Sequence, residues 1–233
     1  MISSVQIGNR LLVKLAIPEP EREIRRKERR RPQSSLMEAF EHVVKVFLET
    51  QGYAVTSNVK FPVRKKVRKA AREEFQTHGY EVDIVAARSD CLLLGSVKSF
   101  LGSKGLSRQA FDGIADSQRK THLDQCKLFN DPVVKDGVLK EAAKRYGYPM
   151  KAISMAMFVG KFAGNDEDYI RRHLGKMRVG GKPVRVYGLA EIIIGVVKAS
   201  EAKTYVDDPV IVTVKCLNSL NLLRRSPDRH GNE

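Results

Sequence analysis

Tryptophan is absent from these 233 residues, and aromatic residues of all kinds make up only 7%. So few rings equip the chain poorly for holding single-stranded nucleic acid by base stacking. Cysteine is scarce: Cys91, Cys126 and Cys216 lie far apart, with no CxxC pair and no histidine at finger spacing, which excludes a zinc module and a disulfide framework. The expectation is buried, reduced thiols. The histidines His42, His78, His122, His173 and His230 form no HxH, HExxH or HNH-like group, so each reads as a surface or packing residue. No Ser-His-Asp arrangement is recognisable. Gly102-Ser103-Lys104-Gly105 lacks the GxxxxGK[ST] spacing of a nucleotide loop. No apolar run approaches the roughly 20 residues that span a bilayer, and the first residues lack the charged-then-apolar order of a secretory signal. These absences predict a soluble protein, cytoplasmic or nucleoid-associated, with no membrane partner.

What the chain does have is apolar substance and uneven charge. With 42% hydrophobic residues it can fill one sizeable core without a staple. Formal net charge is +15, and two stretches hold eleven of those charges. Residues 21–31 carry seven basic and three acidic residues; residues 60–72 carry seven basic and none acidic. Phosphates are the common partner of such clusters, because each neutralised phosphate releases condensed counterions. Lys60, Arg64, Lys65, Lys66, Arg68, Lys69 and Arg72 are the candidate backbone contacts, with Lys104 and Arg108 beside them.

Three segments are expected: an N-terminal strand and basic arm over 1–34, an α/β domain over 35–225, and a tail over 226–233. Residues 5–17 alternate weakly, and Pro18, Pro20 and the charge run imply a linker or helical arm ending at Pro32. From Ser35, Leu36, Phe40, Val43, Val44, Phe47 and Leu48 recur as on an amphipathic helix closed by Gly52. A strand over 53–63, a basic loop or short helix over 65–75, and strands over 79–88 and 91–99 joined by Arg88-Ser89-Asp90 follow, the last two as a hairpin. Helical spacing returns over 107–129 and again over 131–146, where Asp131 caps and Pro132 opens the helix. Residues 150–162 read as a strand buried on both faces, 165–177 as a helix, 184–187 as a strand, 189–199 as a helix, and 208–223 as a helix after Pro209. The alternation predicts an α/β fold, a central mixed β-sheet flanked by helices, with a basic N-terminal extension.

Chemistry concentrates in two neighbouring strands, Tyr80-Glu81-Val82-Asp83-Ile84-Val85-Ala86 and Leu92-Leu93-Leu94-Gly95-Ser96-Val97-Lys98. Residues two apart on a strand share a face, so Glu81 is expected beside Asp83 and Ser96 beside Lys98, and a hairpin brings Asp83 and Lys98 to one patch. A carboxylate suits a hard divalent ion, and a lysine nearby can orient water or neutralise developing charge.

This pattern resembles that of the PD-(D/E)XK nuclease superfamily, which has the restriction-endonuclease-like fold. A helix carrying a glutamate, a strand ending in Asp, and a following strand with (Asp/Glu)-x-Lys are matched by Glu41, Asp83 and Ser96-Val97-Lys98, with Gln51-Gly52-Tyr53 at the first helix-to-strand turn. The match covers about residues 36–130. At about 100° per residue, Glu41 borders the apolar stripe of its helix while Glu38 faces solvent, which makes Glu41 the better helix candidate. Gln125-x-x-x-Phe129 resembles the Gln-x-x-x-Tyr motif of the exonuclease branch, with Phe in place of Tyr. The resemblance implies a metal-dependent DNA nuclease, an endonuclease rather than an exonuclease. Mg²⁺ would be held by Asp83 with Glu41 or Glu81, with Mn²⁺ as its substitute, and Lys98 would position the nucleophilic water. DNA is the implied partner, in a homodimer or a larger complex.

Ser96 departs from that pattern, because the family has a second carboxylate there and a hydroxyl is a poorer Mg²⁺ ligand. Glu81 can supply the missing charge, the position can carry an inactivating replacement, or the chain can be a relative that only binds nucleic acid. Lys98 favours the first two, since a lysine on an apolar strand is costly unless something anionic meets it. The alternative expectation is a non-catalytic nucleic-acid-binding subunit of a DNA-processing, transposition or defence complex; a basic RNA- or ribosome-associated protein is a third class.

Overall fold

Phe40, Val44, Phe47 and Leu48, spaced i, i+4, i+7 and i+8, are buried along one side of helix α1 (Ser34–Glu49), as an amphipathic stripe requires. The computed structural model describes residues 6–7, 10–11, 34–69, 72–112, 123–202 and 206–223. The chain divides into two units, residues 1–35 and 36–233. In the first, β1 (Gln6–Ile7) and β2 (Arg10–Leu11) pair antiparallel, two short strands where one was expected. The expected basic arm over 18–32 and the tail over 226–233 lie outside the described residues.

The second unit is built on a five-stranded mixed sheet, ordered β3-β4-β5-β6-β9. Its strands are β3 (Ala54–Lys69), β4 (Arg72–Arg88), β5 (Cys91–Lys98), β6 (Ile153–Val159) and β9 (Arg185–Gly188). β3, β4 and β5 run antiparallel in succession, whereas β5, β6 and β9 are parallel. A small hairpin of β7 (Arg178–Val179) and β8 (Lys182–Pro183) precedes β9.

Helices cover both faces. On the first face Val134, Val138, Leu139 and Ala142 of α2 (Pro132–Tyr146) and Ile170 and Leu174 of α3 (Glu167–Lys176) pack on Leu92, Leu94, Met155 and Met157. On the second, α1 joins Ile192 and Val196 of α4 (Leu189–Ser200) and Ile211 of α5 (Pro209–Ser219) over Leu93, Val97, Ala156 and Phe158. Strands β5 and β6 thus bury both sides, which explains their nearly unbroken apolar sequence. The expected strand over 150–162 is shorter, because Met150–Ala152 form a 3₁₀ turn. Asp131 caps α2 by accepting from the amides of Val133 and Val134 at 3.0 and 3.1 Å. Among the described residues no helix is long and apolar enough to cross a membrane.

Two expectations are corrected. Residues 65–69 and 72–75 are neither loop nor helix: β3 and β4 continue as a long two-stranded ribbon to the rung Lys69↔Arg72. Seven cations in thirteen residues discourage a strand only when read alone. The register sets Lys60 opposite Glu81 and Arg68 opposite Glu73, so acidic positions stand across the ladder from basic ones. Nor is 107–129 one helix. Ser107 caps a three-residue 3₁₀ turn at Arg108–Ala110, residues 113–122 lie outside the described set, and Cys126, at φ −120°, interrupts the helix before a single turn at Lys127–Asn130. Cys91 and Cys126 are buried free thiols as expected, but Cys216 is exposed on α5.

Candidate functional site at the fork of β4 and β5

The ladder between β4 and β5 runs from Arg88↔Cys91 to Ile84↔Gly95 and stops there. One step further, the Asp83 side chain takes the place of a backbone partner. Its Oδ2 accepts the Val97 amide at 2.6 Å and the Ser96 hydroxyl at 3.1 Å. Among the described residues its Oδ1 carries no hydrogen bond. Ser96 is buried and Asp83 half-buried, so this is a fixed contact that orients the carboxylate.

Asp83 also marks a turn of the strand about its own axis. Ile84 and Ala86 pack in the second core, whereas Val82 and Tyr80 pack in the first. Side chains two apart normally share a face, so the alternation changes phase at Asp83. β3 does the same: Val55 packs with the second core, and Val59 and Phe61 with the first. Between them Asn58, opposite Asp83 by the flanking register, has φ +56°. Asparagine tolerates that left-handed region better than most residues. A second non-glycine residue there, Phe100 at φ +45°, follows the end of β5 by two positions. For a bulky residue this is strained backbone, of the kind that collects at functional sites.

Lys98 ends β5, half-buried, and among the described residues its side chain has no hydrogen bond or ion pair. Its backbone is held from the residue after β6, where the Gly160 amide donates to the Lys98 carbonyl at 2.8 Å. Alternation from Leu92 and Leu94 puts Ser96 and Lys98 on the first face. The buried Cys126 thiol senses the same place: burial pushes its pKa up to about 11, with the Lys98 charge lowering it and the Asp83 charge raising it. Tyr80 is pushed up to about 12, first by burial and then by the negative charge of Asp83. Asp83, Ser96, Lys98, Cys126 and Tyr80 therefore share one neighbourhood. Sequence reasoning missed Tyr80 and Cys126, which look like ordinary core residues in a linear reading.

The remaining candidates differ in exposure and in the elements that carry them. Glu81 is exposed, its carboxylate 3.7 Å from Lys60 Nζ across the ribbon, and the phase change at Asp83 overturns the expectation that the two carboxylates share a face. Glu41 is buried, as its position beside the apolar stripe predicts, but on the helix that covers the second face. Gln125 is exposed, with Phe129 buried behind it, and Cys126 is the neighbour that faces the site. Among the described residues no three His, Cys, Asp or Glu side chains converge as a metal-holding group.

The basic residues are unequal. Lys65 is committed to Asp131 at 2.6 Å, Lys60 to Glu81, and the Arg64 guanidinium lies 4.4 Å over the exposed Phe75 ring. Lys66 and Lys104 are exposed, and Arg108 Nε stands 4.0 Å from Asp166. Arg68, Lys69 and Arg72 occupy the far rungs of the ribbon, with side chains outside the described set. Of the histidines, His42 meets Asp208 at 2.9 Å and His173 stacks on Tyr169; His122 and His230 lie outside the described residues.

No family model and no curated protein matches the sequence. Among solved structures, the chain is similar to a protein of unknown function, AF1548, at 15% identity and a TM-score of 0.30, over 80% of this chain and 70% of the other.

Proposed function

We propose that this protein is a metal-dependent DNA nuclease of the restriction-endonuclease-like fold, with its site at the fork of β4 and β5. The observation that carries the reading is the Asp83 carboxylate, oriented by the Val97 amide and the Ser96 hydroxyl, with the unpaired Lys98 two residues beyond Ser96. A carboxylate and a lone ammonium held near one another at the end of a buried strand are costly for the fold, and hydrolysis of a phosphodiester uses both.

The donor set would suit Mg²⁺ in the sparse way that ion accepts, through one or two carboxylates, with water and substrate phosphate supplying its other ligands. Asp83 Oδ1 is the available oxygen. Glu41 and Glu81 are the further carboxylates that the resemblance puts forward. When bound, such an ion polarises the scissile phosphate and lowers the pKa of a water. The chain's own contribution is positional: the Val97 and Ser96 donors fix the rotation of the Asp83 carboxylate, and Lys98 brings positive charge to the reacting phosphate or its attacking water. The ribbon of β3 and β4 adds cations along a surface that backbone phosphates can follow.

Ser96 supports a second reading, a non-catalytic nucleic-acid-binding subunit on the same fold. Its hydroxyl donates to Asp83 where a second carboxylate would instead repel it. One experiment separates the two: incubation of the chain, Asp83→Asn and Ser96→Glu with supercoiled and linear DNA in Mg²⁺ and in Mn²⁺. Cleavage by the unaltered chain that Asp83→Asn abolishes supports the nuclease. Cleavage by Ser96→Glu alone means a disabled nuclease. Silence from all three with DNA still bound establishes the binding subunit.

A further inference from the structure

A second concentration of polar groups lies at the other end of the sheet. β5 begins at Cys91 and ends at Lys98, so seven residue steps put the two ends about 23 Å apart. Around Cys91 and the first residues of β6 and β9 is a cavity of about 220 Å³, into whose wall Tyr53, Arg88, Asp90, Ser154, Lys182 and Arg185 all enter.

The three cations there are in different states. Asp90 holds Arg88 through two hydrogen bonds, 2.7 and 3.0 Å long, and the guanidinium lies 5.0 Å over the Tyr53 ring, so Arg88 is neutralised and fixed. Lys182 and Arg185 are not: among the described residues neither has a carboxylate within 4.0 Å. Arg185 makes only a long 3.4 Å bond to the Tyr187 hydroxyl. Asp90 acts on Lys182 only at longer range and no acidic side chain acts on Arg185, so three cations against one carboxylate leave this concave site with excess positive charge.

Tyr53 supplies a donor. Its hydroxyl meets only the Cys91 sulfur, at 3.4 Å, and a thiol is a weak hydrogen-bonding partner. Burial, then the Cys91 contact, pushes its pKa up to about 12, so it stays a protonated phenol through the physiological range. A ligand oxygen offers that hydroxyl a better partner. The rings of Tyr53 and Tyr187 add apolar surface for something larger than the anion alone.

The geometry points to a binding site for a phosphomonoester on a sugar-sized stem, with its dianionic phosphate between Lys182 and Arg185 and one oxygen accepting from Tyr53. Arginine's planar fork suits phosphate, and the volume falls below the roughly 300–1,000 Å³ of sites for drug-sized ligands, which sets the scale of the stem. The phosphate belongs either to a free sugar phosphate or to the 5′ end of a nucleic-acid strand. This site is separate from the fork of β4 and β5 and stands whether or not the chain cleaves DNA.

The test is calorimetric titration of the full chain with ribose 5-phosphate and with ribose, repeated on Lys182→Ala, Arg185→Ala and Tyr53→Phe. Saturable binding of ribose 5-phosphate and none of ribose is expected, about tenfold or more weaker in each cation variant and several-fold weaker in Tyr53→Phe. Competition by a 5′-phosphorylated dinucleotide, and not by its 5′-hydroxyl form, identifies a strand end as the source; its absence identifies a free sugar phosphate. Lys182 and Arg185 are exposed, so their loss leaves the fold intact. Failure of ribose 5-phosphate to bind at millimolar concentration, or binding unchanged in Lys182→Ala and Arg185→Ala, overturns the proposal.

Discussion

The Val97 amide donates to Asp83 at 2.6 Å, across strands whose backbone ladder has ended one rung earlier. A side chain thus completes a sheet hydrogen bond, which ties the orientation of the candidate catalytic carboxylate to the stability of β5. Asp83→Ala leaves a buried amide without a partner and is expected to cost about 1–3 kcal/mol, whereas Asp83→Asn keeps an acceptor and costs less. Urea denaturation of the two variants checks this ranking. It also identifies Asp83→Asn as the cleaner control for activity.

Two glycines beside the site differ in what surrounds them. A Cβ on Gly160 would lie 2.3 Å from the Ser99 carbonyl oxygen, while one on Gly95 would lie 2.8 Å from the edge of the Phe158 ring. A ring can shift by a few tenths of an ångström, but backbone just beyond the last rung of a parallel ladder yields less readily. Gly160→Ala is therefore expected to destabilise more than Gly95→Ala and to displace Lys98, whose carbonyl accepts the Gly160 amide. Thermal denaturation should rank the two.

Alkaline conditions should loosen the first core. Burial raises the Cys126 thiol from its ordinary 9.0 to about 11 and the Tyr80 phenol from 10.0 to about 12. Between the ordinary and raised values the unfolded chain has lost protons that the folded chain keeps, so stability falls as pH rises from about 9 to 12. Chemical denaturation at pH 8, 10 and 11 should show midpoints that fall in that order. At neutral pH a thiol reagent should modify the exposed Cys216 and spare Cys91 and Cys126 until the protein unfolds.

At the acid end Asp131 carries the opposite sign. Burial alone would raise its carboxyl, but the Lys65 ammonium and the amides of Val134 and Val133 outweigh that and hold it below the ordinary 3.8. Its contribution is present above pH 3.8 and is lost as pH falls through the depressed folded value. Asp131→Ala is expected to cost about 1–2 kcal/mol by removing the cap, and Asp131→Asn to keep the cap while losing the pH dependence. Denaturation midpoints at pH 3 and pH 7 distinguish these outcomes.

The ribbon should reveal its role through salt. Replacing Arg68, Lys69 and Arg72 together by alanine is expected to weaken duplex DNA binding and to reduce the slope of log K against log salt by up to about three. Lys65→Ala should leave that slope nearly unchanged and lower stability instead, because Lys65 is already paired with Asp131. Fluorescence anisotropy over a salt series makes the comparison. Equal slopes for the triple variant and the parent would remove the ribbon from the interface.

Much of the architecture was legible along the chain wherever a local pattern and its punctuation agreed. Apolar spacing in α1, Asp131-Pro132 at the head of α2, the turn from Arg88 to Asp90 and the double-sided burial of β6 each express a preference contained within a few residues. The ribbon was not legible, because Lys60, Arg68 and their acidic partners are 21 and 5 residues apart in sequence yet adjacent across the ladder. The break at Cys126 was hidden for a similar reason: apolar residues at nearly helical spacing continue through it.

The candidate site divides in the same way. The sequence by itself determined that Asp83, Ser96 and Lys98 lie on adjacent strands, because alternation and a short turn leave little freedom of register. Only the tertiary structure decided which neighbours they have. The ribbon turns about its axis at Asn58 and Asp83, which sends Glu81 out to Lys60 and brings Tyr80 and Cys126 toward Asp83. Packing two helical layers against one twisted sheet sets that turn, and no stretch of a few residues contains it.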